Sequence, residues 1–308
     1  GLSSSARPFL KALMPLAASH LQLPPDTQLV ISSSHCVIKS APIPPEAKHL
    51  SYIHSPMRYM YDQFDNYFGE ASLPIRAAAT IARPFLRFYD RNSNQGIDRM
   101  VANSAFVRER IRHFYGRDAD VLHPFVDAGD FSAVSRTTKG DYFLVVSAFA
   151  PNKRIDAAIT AFNSLGPAYP LKIIGSGSAS ETSRLKSMAA PHVEFLGNLS
   201  RSEVADHMAG ARAFIFPGVE DFGITPLEAL AAGTPVIAHA AGGVLETLTP
   251  ETALFYDQDL ASAVRTFEPG LYRTEVLQAR SREFTRERFK QGLMKLVEAT
   301  LAGRRVHG

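Results

Sequence analysis

The sequence predicts an α/β protein of two domains, each wound around a parallel sheet. Six short apolar runs recur between residues 140 and 268. Helical periodicity fills the gaps between them, and that alternation is what a doubly wound parallel sheet requires. At 308 residues the chain also exceeds what a single core usually fills.

The elements follow in order. In the first part, residues 28–31, 50–54, 100–102 and 121–122 read as strands, and helical patterns cover 58–68, 75–91 and 105–115. A largely polar connector, 124–140, carries Gly129 and separates the parts, giving domains 1–125 and 126–308. In the second part, strands are expected at 143–149, 171–174, 193–196, 213–216, 235–238 and 253–255. Helices such as 155–165 and 201–209 lie between them, and a last helix is expected near 282–301. Neither an internal repeat nor a low-complexity tract is visible.

Composition narrows the function classes. A hydrophobic content of 45% supplies an ordinary globular core. The single cysteine, Cys36, excludes an internal disulfide framework and any cysteine-rich metal site, and fits a reducing cytoplasm. No run of 18 apolar residues offers a membrane-spanning helix, and no signal peptide is visible at the start. The net charge of +3 is uneven, since residues 76–117 hold nine arginines and three acids. That excess reads either as solvated helix faces or as a surface for anionic lipid head groups or a lipid-diphosphate acceptor. No nucleic-acid-binding motif accompanies it, so nucleic acid is not an expected partner. The expected location is the cytoplasm, including the inner face of the membrane.

Chemistry concentrates in residues 220–246, which run from an expected strand end through a loop and a helix to the next strand. Glu220 and Glu228 stand eight positions apart, with Phe222-Gly223 and Thr225-Pro226-Leu227-Glu228 between them. By itself the second group is a good capping box, with Thr225 as cap and Glu228 reaching back. The functional alternative is two carboxylates and a free helix N-terminus at the carboxyl end of a sheet, where open α/β folds bind ligands. Lys153 and Arg154 follow the strand at 143–149 and open the next helix, a place suited to an anion. Gly175-Ser176-Gly177 is a weak dinucleotide fingerprint but an adequate tight turn for close approach of a nucleotide. Asn198-Leu199 occupies the following strand-to-helix loop. Asp118-Ala119-Asp120 and Asp257-Gln258-Asp259 read as turns and caps rather than metal ligands. His54 ends a first-domain strand.

Taken together these strings resemble the family-4 retaining glycosyltransferases, whose Glu-x7-Glu signature is followed by Ala-Gly-x-Pro-Val-Ile and Gly-Gly-x-x-Glu. Here those parts are residues Ala232 to Ile237 and Gly242 to Glu246. The segment from Tyr52 to Tyr59 is similar to a His-Thr-Pro-Met-Arg-Tyr string of a mannosyltransferase-like branch that builds bacterial surface polysaccharides, with Ser55 in place of Thr. Residues 101–104 and 123–127 resemble the end of the first domain and the crossing into the second.

The resemblance implies two Rossmann-like domains of the GT-B type, an acceptor-side first domain and a nucleotide-sugar-binding second one. Family members normally begin with a strand and a glycine-rich turn well before anything like residues 6–18. This chain starts at that later point, so its first domain is expected to be shortened at the N-terminus. The implied reaction is retaining hexosyl transfer from a nucleotide-diphosphate sugar, GDP-mannose by branch resemblance, to a glycan or lipid-diphosphate acceptor. No metal or other cofactor is implied. The implied catalytic residues are Glu220, on donor-sugar hydroxyls, and His54, against the donor sugar. Lys153 and Arg154 would take the diphosphate. Many members carry an arginine five residues before that lysine, where this chain has Ala148. Phe222, Gly223, Ile224 and Thr225 would present amides to sugar and phosphate. Glu228 would take the ribose hydroxyls, and Gly175, Gly177, Asn198 and Leu199 would frame the base. Two other readings stay open: a glycosidase using the two glutamates, and a nucleotide-sugar-binding scaffold or relic without turnover.

Overall fold

The computed structural model describes residues 16–69, 71–134 and 139–303. Residues 6–15 of the expected starting segment and 135–138 of the connector lie outside that description. The chain divides into two compact units: one holds the residues up to His123 and those from Lys290 onward, the other Pro124–Phe289.

The first unit contains a four-stranded parallel sheet in the order β1 (Leu29–Ser34), β2 (Lys48–Ile53), β3 (Arg99–Ala102), β4 (Asp120–Val121). Ile53, Met100, Ala102, Val107 and Ile111 form one buried cluster, joining strands to the helix Ala105–Tyr115. That helix starts where Ser104 accepts from the Val107 amide at 3.0 Å and stops at Gly116, whose φ of 66° a side chain would oppose. A second cluster packs Cys36, Val37, Met57, Met60 and Tyr61. Beside it Lys39 and Asp90 form a fully buried ion pair, and the Tyr61 hydroxyl donates to Asp90 at 3.0 Å. The partners satisfy each other, which is what makes burial of the charges tolerable.

The expected helix over 58–68 is confined to Phe64–Phe68. The carbonyls that would continue it backwards are taken elsewhere. Met60 O accepts from Arg83 and Arg87, at 3.0 and 2.6 Å, and Tyr61 O accepts from Arg83 at 2.7 Å. Tertiary guanidinium bonds have replaced intrahelical ones.

The second unit carries six parallel strands in the order β10 (Ala253–Tyr256), β9 (Val236–His239), β8 (Ala213–Phe216), β5 (Phe143–Val146), β6 (Leu171–Ile174), β7 (Val193–Gly197). Two apolar layers cover the sheet. Phe214, Leu227, Leu230 and Leu277 belong to one, and Phe143, Ile159, Phe162 and Ile215 to the other. β5 is shorter than the expected 143–149. From Ser147 onward the chain still runs beside β6, with Ser147 N donating to Ile174 O at 3.0 Å and Phe149 N to Ser176 O at 2.8 Å.

A separate helix, Thr274–Ser281, comes before the expected last helix, which is observed over Arg286–Leu301 and starts after a turn where Thr285 Oγ1 accepts from the Arg288 amide. From Lys290 onward this second helix packs within the first unit. Arg99 donates to Thr300 Oγ1 at 2.8 Å, and a Cβ built on Gly292 would meet Leu122 at 2.5 Å. The boundary expected from sequence, at 125/126, places the whole helix in the second domain instead.

Candidate functional site at the switch point

The strand order places the switch of the second sheet between β5 and β8. From β5 the chain winds outward through β6 and β7, and from β8 it winds the other way through β9 and β10. Loops leaving the carboxyl ends of those two strands flank a crevice, the general ligand position in such sheets. They are the loops that carry Lys153 and Glu220.

Backbone contact holds the two loops together. A Cβ on Gly218 would stand 2.5 Å from Asn152 O and 2.9 Å from Lys153 Cα, so only glycine permits the approach. On this support Lys153 Nζ forms a direct ion pair with Glu220 Oε1, each side chain about a quarter exposed (23% and 22%). Gly242 and Gly243 fix the loop from behind. Gly242 pairs with Glu220 as an isolated parallel bridge, and the Gly243 amide donates to Glu220 O at 2.8 Å. A Cβ on Gly243 would fall 2.2 Å from Asp221 O.

Lys153 closes a single 3-10 turn, Pro151–Lys153, and so precedes the helix Ile155–Leu165 rather than opening it. Arg154 stands between them with φ 52°, a positive value held by no other described non-glycine residue. Such backbone costs free energy and clusters where function needs it. The Arg154 side chain is mostly exposed, with Nε 3.9 Å from Asp156.

The helix after Glu220 begins two residues earlier than the capping-box reading requires. It spans Ile224–Ala231 and is capped by Gly223, with φ 92° and no side-chain cap bond. Thr225 therefore lies inside the first turn, Glu228 lies beyond it, and the capping box is not formed. The cause is the glycine: its left-handed backbone turns the chain into the helix at 223, before Thr225 can act as cap. Phe222 anchors the turn, buried with its ring edge-on to Phe284 at 5.7 Å. Ile224 is 45% exposed above it. The first-turn amides of such a helix lack intrahelical partners.

Glu228 is instead held by a residue that sequence reasoning missed. Arg201 Nη1 donates to Glu228 Oε1 at 3.2 Å, its Nε donates to Asp130 Oδ2 at 2.8 Å, and its guanidinium lies 4.6 Å over the Phe131 ring. Burial pushes the Glu228 carboxyl above the ordinary carboxylate range, and Arg201 pulls it part of the way back. A signal was available. Arg201 is the first residue of the helix Arg201–Gly210, where the dipole disfavours a cation unless anions stand nearby.

The remaining predicted residues are spread more widely. Gly175, at the end of β6, has φ 134°, and a Cβ there would fall 1.9 Å from Ser147 O. A Cβ on Gly177 would lie 2.7 Å from the Phe149 Cβ. Both glycines serve the close packing of β6 on the chain leaving β5. Asn198 is exposed and Leu199 half-buried against the core, after β7. In the first unit His54 follows β2, with Nε2 2.8 Å from Ser33 Oγ and its ring edge-on to Tyr52 at 5.2 Å. Of the aspartate pairs, Asp259 caps the helix Leu260–Thr266, while Asp118 and Asp120 pair with Arg112 and Arg99. Among the described residues no group of three or more His, Cys, Asp or Glu is placed to hold a metal ion.

Residues 129–268 match the family model described as glycosyl transferases group 1. That segment is similar to a group 1 glycosyl transferase domain. It begins just after the unit boundary and contains both glutamates, Lys153 and Arg201. The O-antigen chain mannosyltransferase RfbU of Salmonella typhimurium is 29% identical over 188 residues, 58% of this chain and 52% of that protein. A GDP-mannose-dependent phosphatidylinositol monomannoside mannosyltransferase of Mycobacterium tuberculosis is 33% identical over 193 residues, 54% of this chain and 50% of its own. The chain spans about half the length of the curated relatives it matches. Among solved structures, HepE of Anabaena in complex with UDP-glucose superposes with a TM-score of 0.67 at 17% identity, covering 96% of this chain and 84% of that one. Sucrose-phosphate synthase of Thermosynechococcus elongatus gives 0.68 at 18% identity, covering 96% and 78%. The fold is thus that of two parallel-sheet α/β domains of the GT-B type. No helix among the described residues is long and apolar enough to cross a membrane.

Proposed function

We propose that this protein is a retaining hexosyltransferase that moves a sugar from a nucleoside-diphosphate donor, GDP-mannose, to a glycan or lipid-diphosphate acceptor without a metal. The observation that carries the proposal is the meeting of Lys153 and Glu220 on adjoining loops at the switch of the second sheet. One is a cation for a diphosphate and the other an acceptor for sugar hydroxyls. The choice of mannose follows both relatives, which are mannosyltransferases, and that of guanine the GDP-mannose-dependent one.

In this reading Lys153, Arg154 and the amides of Gly223 to Thr225 hold the diphosphate and stabilise the charge that builds on it as the sugar departs. Glu220 turns from Lys153 to the sugar hydroxyls. Glu228, steadied by Arg201, accepts from the ribose hydroxyls, and the turns at Gly175, Gly177, Asn198 and Leu199 border the base. The acceptor hydroxyl attacks from the face the diphosphate leaves. His54 is assigned to the donor sugar by resemblance alone, and His54→Ala should lower turnover.

The test is a thermal-shift screen of GDP, UDP and ADP, in which a ligand at about 100 times its Kd adds about 2.7 kcal/mol. The selected donor sugar is then incubated with lipid-linked acceptor and nucleoside-diphosphate release is followed. Stabilisation by GDP with release on acceptor addition supports the proposal. Stabilisation without release would leave the binding-only reading, and sugar release from a glycan without nucleotide would favour the glycosidase.

A further inference from the structure

The helix Leu73–Asn92 in the first unit is amphipathic in the wrong direction for a soluble surface helix. Arg83, Arg87 and Asp90 face the protein. Arg83 and Arg87 donate to the carbonyls of Met60 and Tyr61, and their guanidinium groups lie 4.4 Å over the Phe64 ring and 5.3 Å over the Tyr61 ring. Asp90 is fully buried in its pair with Lys39. Leu86 and Tyr89 pack on the core, while a second set of apolar side chains faces outward: Leu73 is 83% exposed, Ile81 79%, Phe85 69% and Phe88 66%. Ile81, Phe85 and Phe88 follow the four-then-three spacing of one helix face, so they form a continuous ridge.

A ridge of this kind is convex and offers no pocket to a peptide. Its charge narrows the choice of partner further. The helix carries four arginines, at 76, 83, 87 and 91, against one acid, Asp90, which Lys39 already neutralises. Arg76 and Arg91 are exposed on the helix, one 3.6 Å from Asp65 and the other donating to Phe114 O at 2.7 Å. Phenylalanine on the outer face with arginine beside it is the pattern of a helix lying in a membrane interface, with the apolar face sunk among acyl chains and cations at head-group level.

We infer that the helix Leu73–Asn92 docks the protein on an anionic lipid bilayer by inserting Ile81, Phe85 and Phe88. This changes what the basic segment does. Arginines 83 and 87 build the helix onto the domain, and the ridge makes the contact, so binding needs anionic lipid yet survives salt in part, unlike a purely ionic contact. The inference holds whichever donor the second unit takes.

The chain contains no tryptophan, so Phe88→Trp supplies a single reporter. With vesicles of phosphatidylcholine and phosphatidylglycerol its emission should shift to the blue and be quenched by brominated acyl chains, with a smaller response on phosphatidylcholine alone. In co-sedimentation, the Ile81→Ser, Phe85→Ser double variant should bind the anionic vesicles at least about tenfold more weakly than the parent chain. Its melting temperature should not fall, because both side chains are exposed. A reporter that stays unquenched on bound protein, or a double variant that binds as well as the parent, overturns the inference. So does a parent chain that ignores vesicles and instead forms a dimer lost in the double variant, which would make the ridge a contact between copies.

Discussion

Replacing Glu220 by glutamine should tighten the binding of free nucleoside diphosphate while slowing transfer. The motif alone gives Glu220 no bearing on free nucleotide, but the ion pair with Lys153 does. A diphosphate reaching Lys153 must displace the carboxylate or accept it as a like-charged neighbour, and glutamine removes both costs. Two unit charges about 4 Å apart interact by about 4 kcal/mol at an effective dielectric of about 20. Well-exposed pairs are worth only about 0.2–1 kcal/mol. Side chains about a quarter exposed lie between those limits. A gain of about 1–2 kcal/mol, or about 5–30-fold in Kd, is expected. Titration calorimetry of GDP against the parent chain, Glu220→Gln, Lys153→Ala and the double variant measures it. Lys153→Ala should lose about 1.5–3 kcal/mol, the range for hydrogen bonds to charged groups. Glu220→Gln should gain less in the Lys153→Ala background than in the parent chain, since only the like-charge repulsion is left to remove. Unchanged or weaker GDP binding in Glu220→Gln would refute the reasoning, and so would an effect just as large without Lys153.

Other outcomes follow from the same geometry. Glu228 has a raised pKa because it is buried, so the folded protein binds its proton more readily than the unfolded chain does. Its contribution to stability therefore rises as pH falls from neutrality through that raised value towards 4.5; if the carboxylate takes the ribose hydroxyls as proposed, nucleotide affinity falls over the same window. Glu228→Gln should flatten the affinity profile and leave the melting temperature equal or higher. Arg201→Ala removes what pulls that pKa down, so loss of nucleotide binding should begin at a higher pH, with Arg201→Lys restoring part of the profile. Gly243→Ala drives a Cβ into the backbone of Asp221 and Phe222 and should cost about 1–3 kcal/mol of stability together with nucleotide binding, read by denaturant titration and calorimetry. If Lys153 and Arg154 carry the diphosphate charge, turnover should persist in a chelator; loss with restoration by manganese would count against it.

The alternation of the second domain was legible because buried parallel strands are apolar on both faces, and all six expected strands have counterparts. The departures occur where backbone bonds leave the local pattern. Residues 58–63 look helical by composition, but Arg83 and Arg87, more than twenty positions away, hold the carbonyls. Helical periodicity likewise registers the helix Leu73–Asn92 without saying which face the domain covers. That is decided by long-range partners, and here many of them are polar.

The site shows the same division more sharply. The string from Glu220 to Glu246 carries the family resemblance, yet the sequence assigns the helix cap to Thr225, because a threonine followed by proline and a glutamate three residues on is what a capping box looks like. Gly223 cannot cap through a side chain, but it accepts a φ of 92° that threonine would resist, and that freedom decides the helix start. Moving the start by two residues takes Glu228 out of the first turn, where it would have been committed to the backbone, and turns it to Arg201. The same step leaves the leading amides beside the loop of Glu220. A Gly223→Ala variant should therefore lose nucleotide binding more than a cap-breaking Thr225→Val variant, since the backbone rather than the hydroxyl forms the turn. Equal loss in the two would return the cap to Thr225 and Glu228 to a structural role.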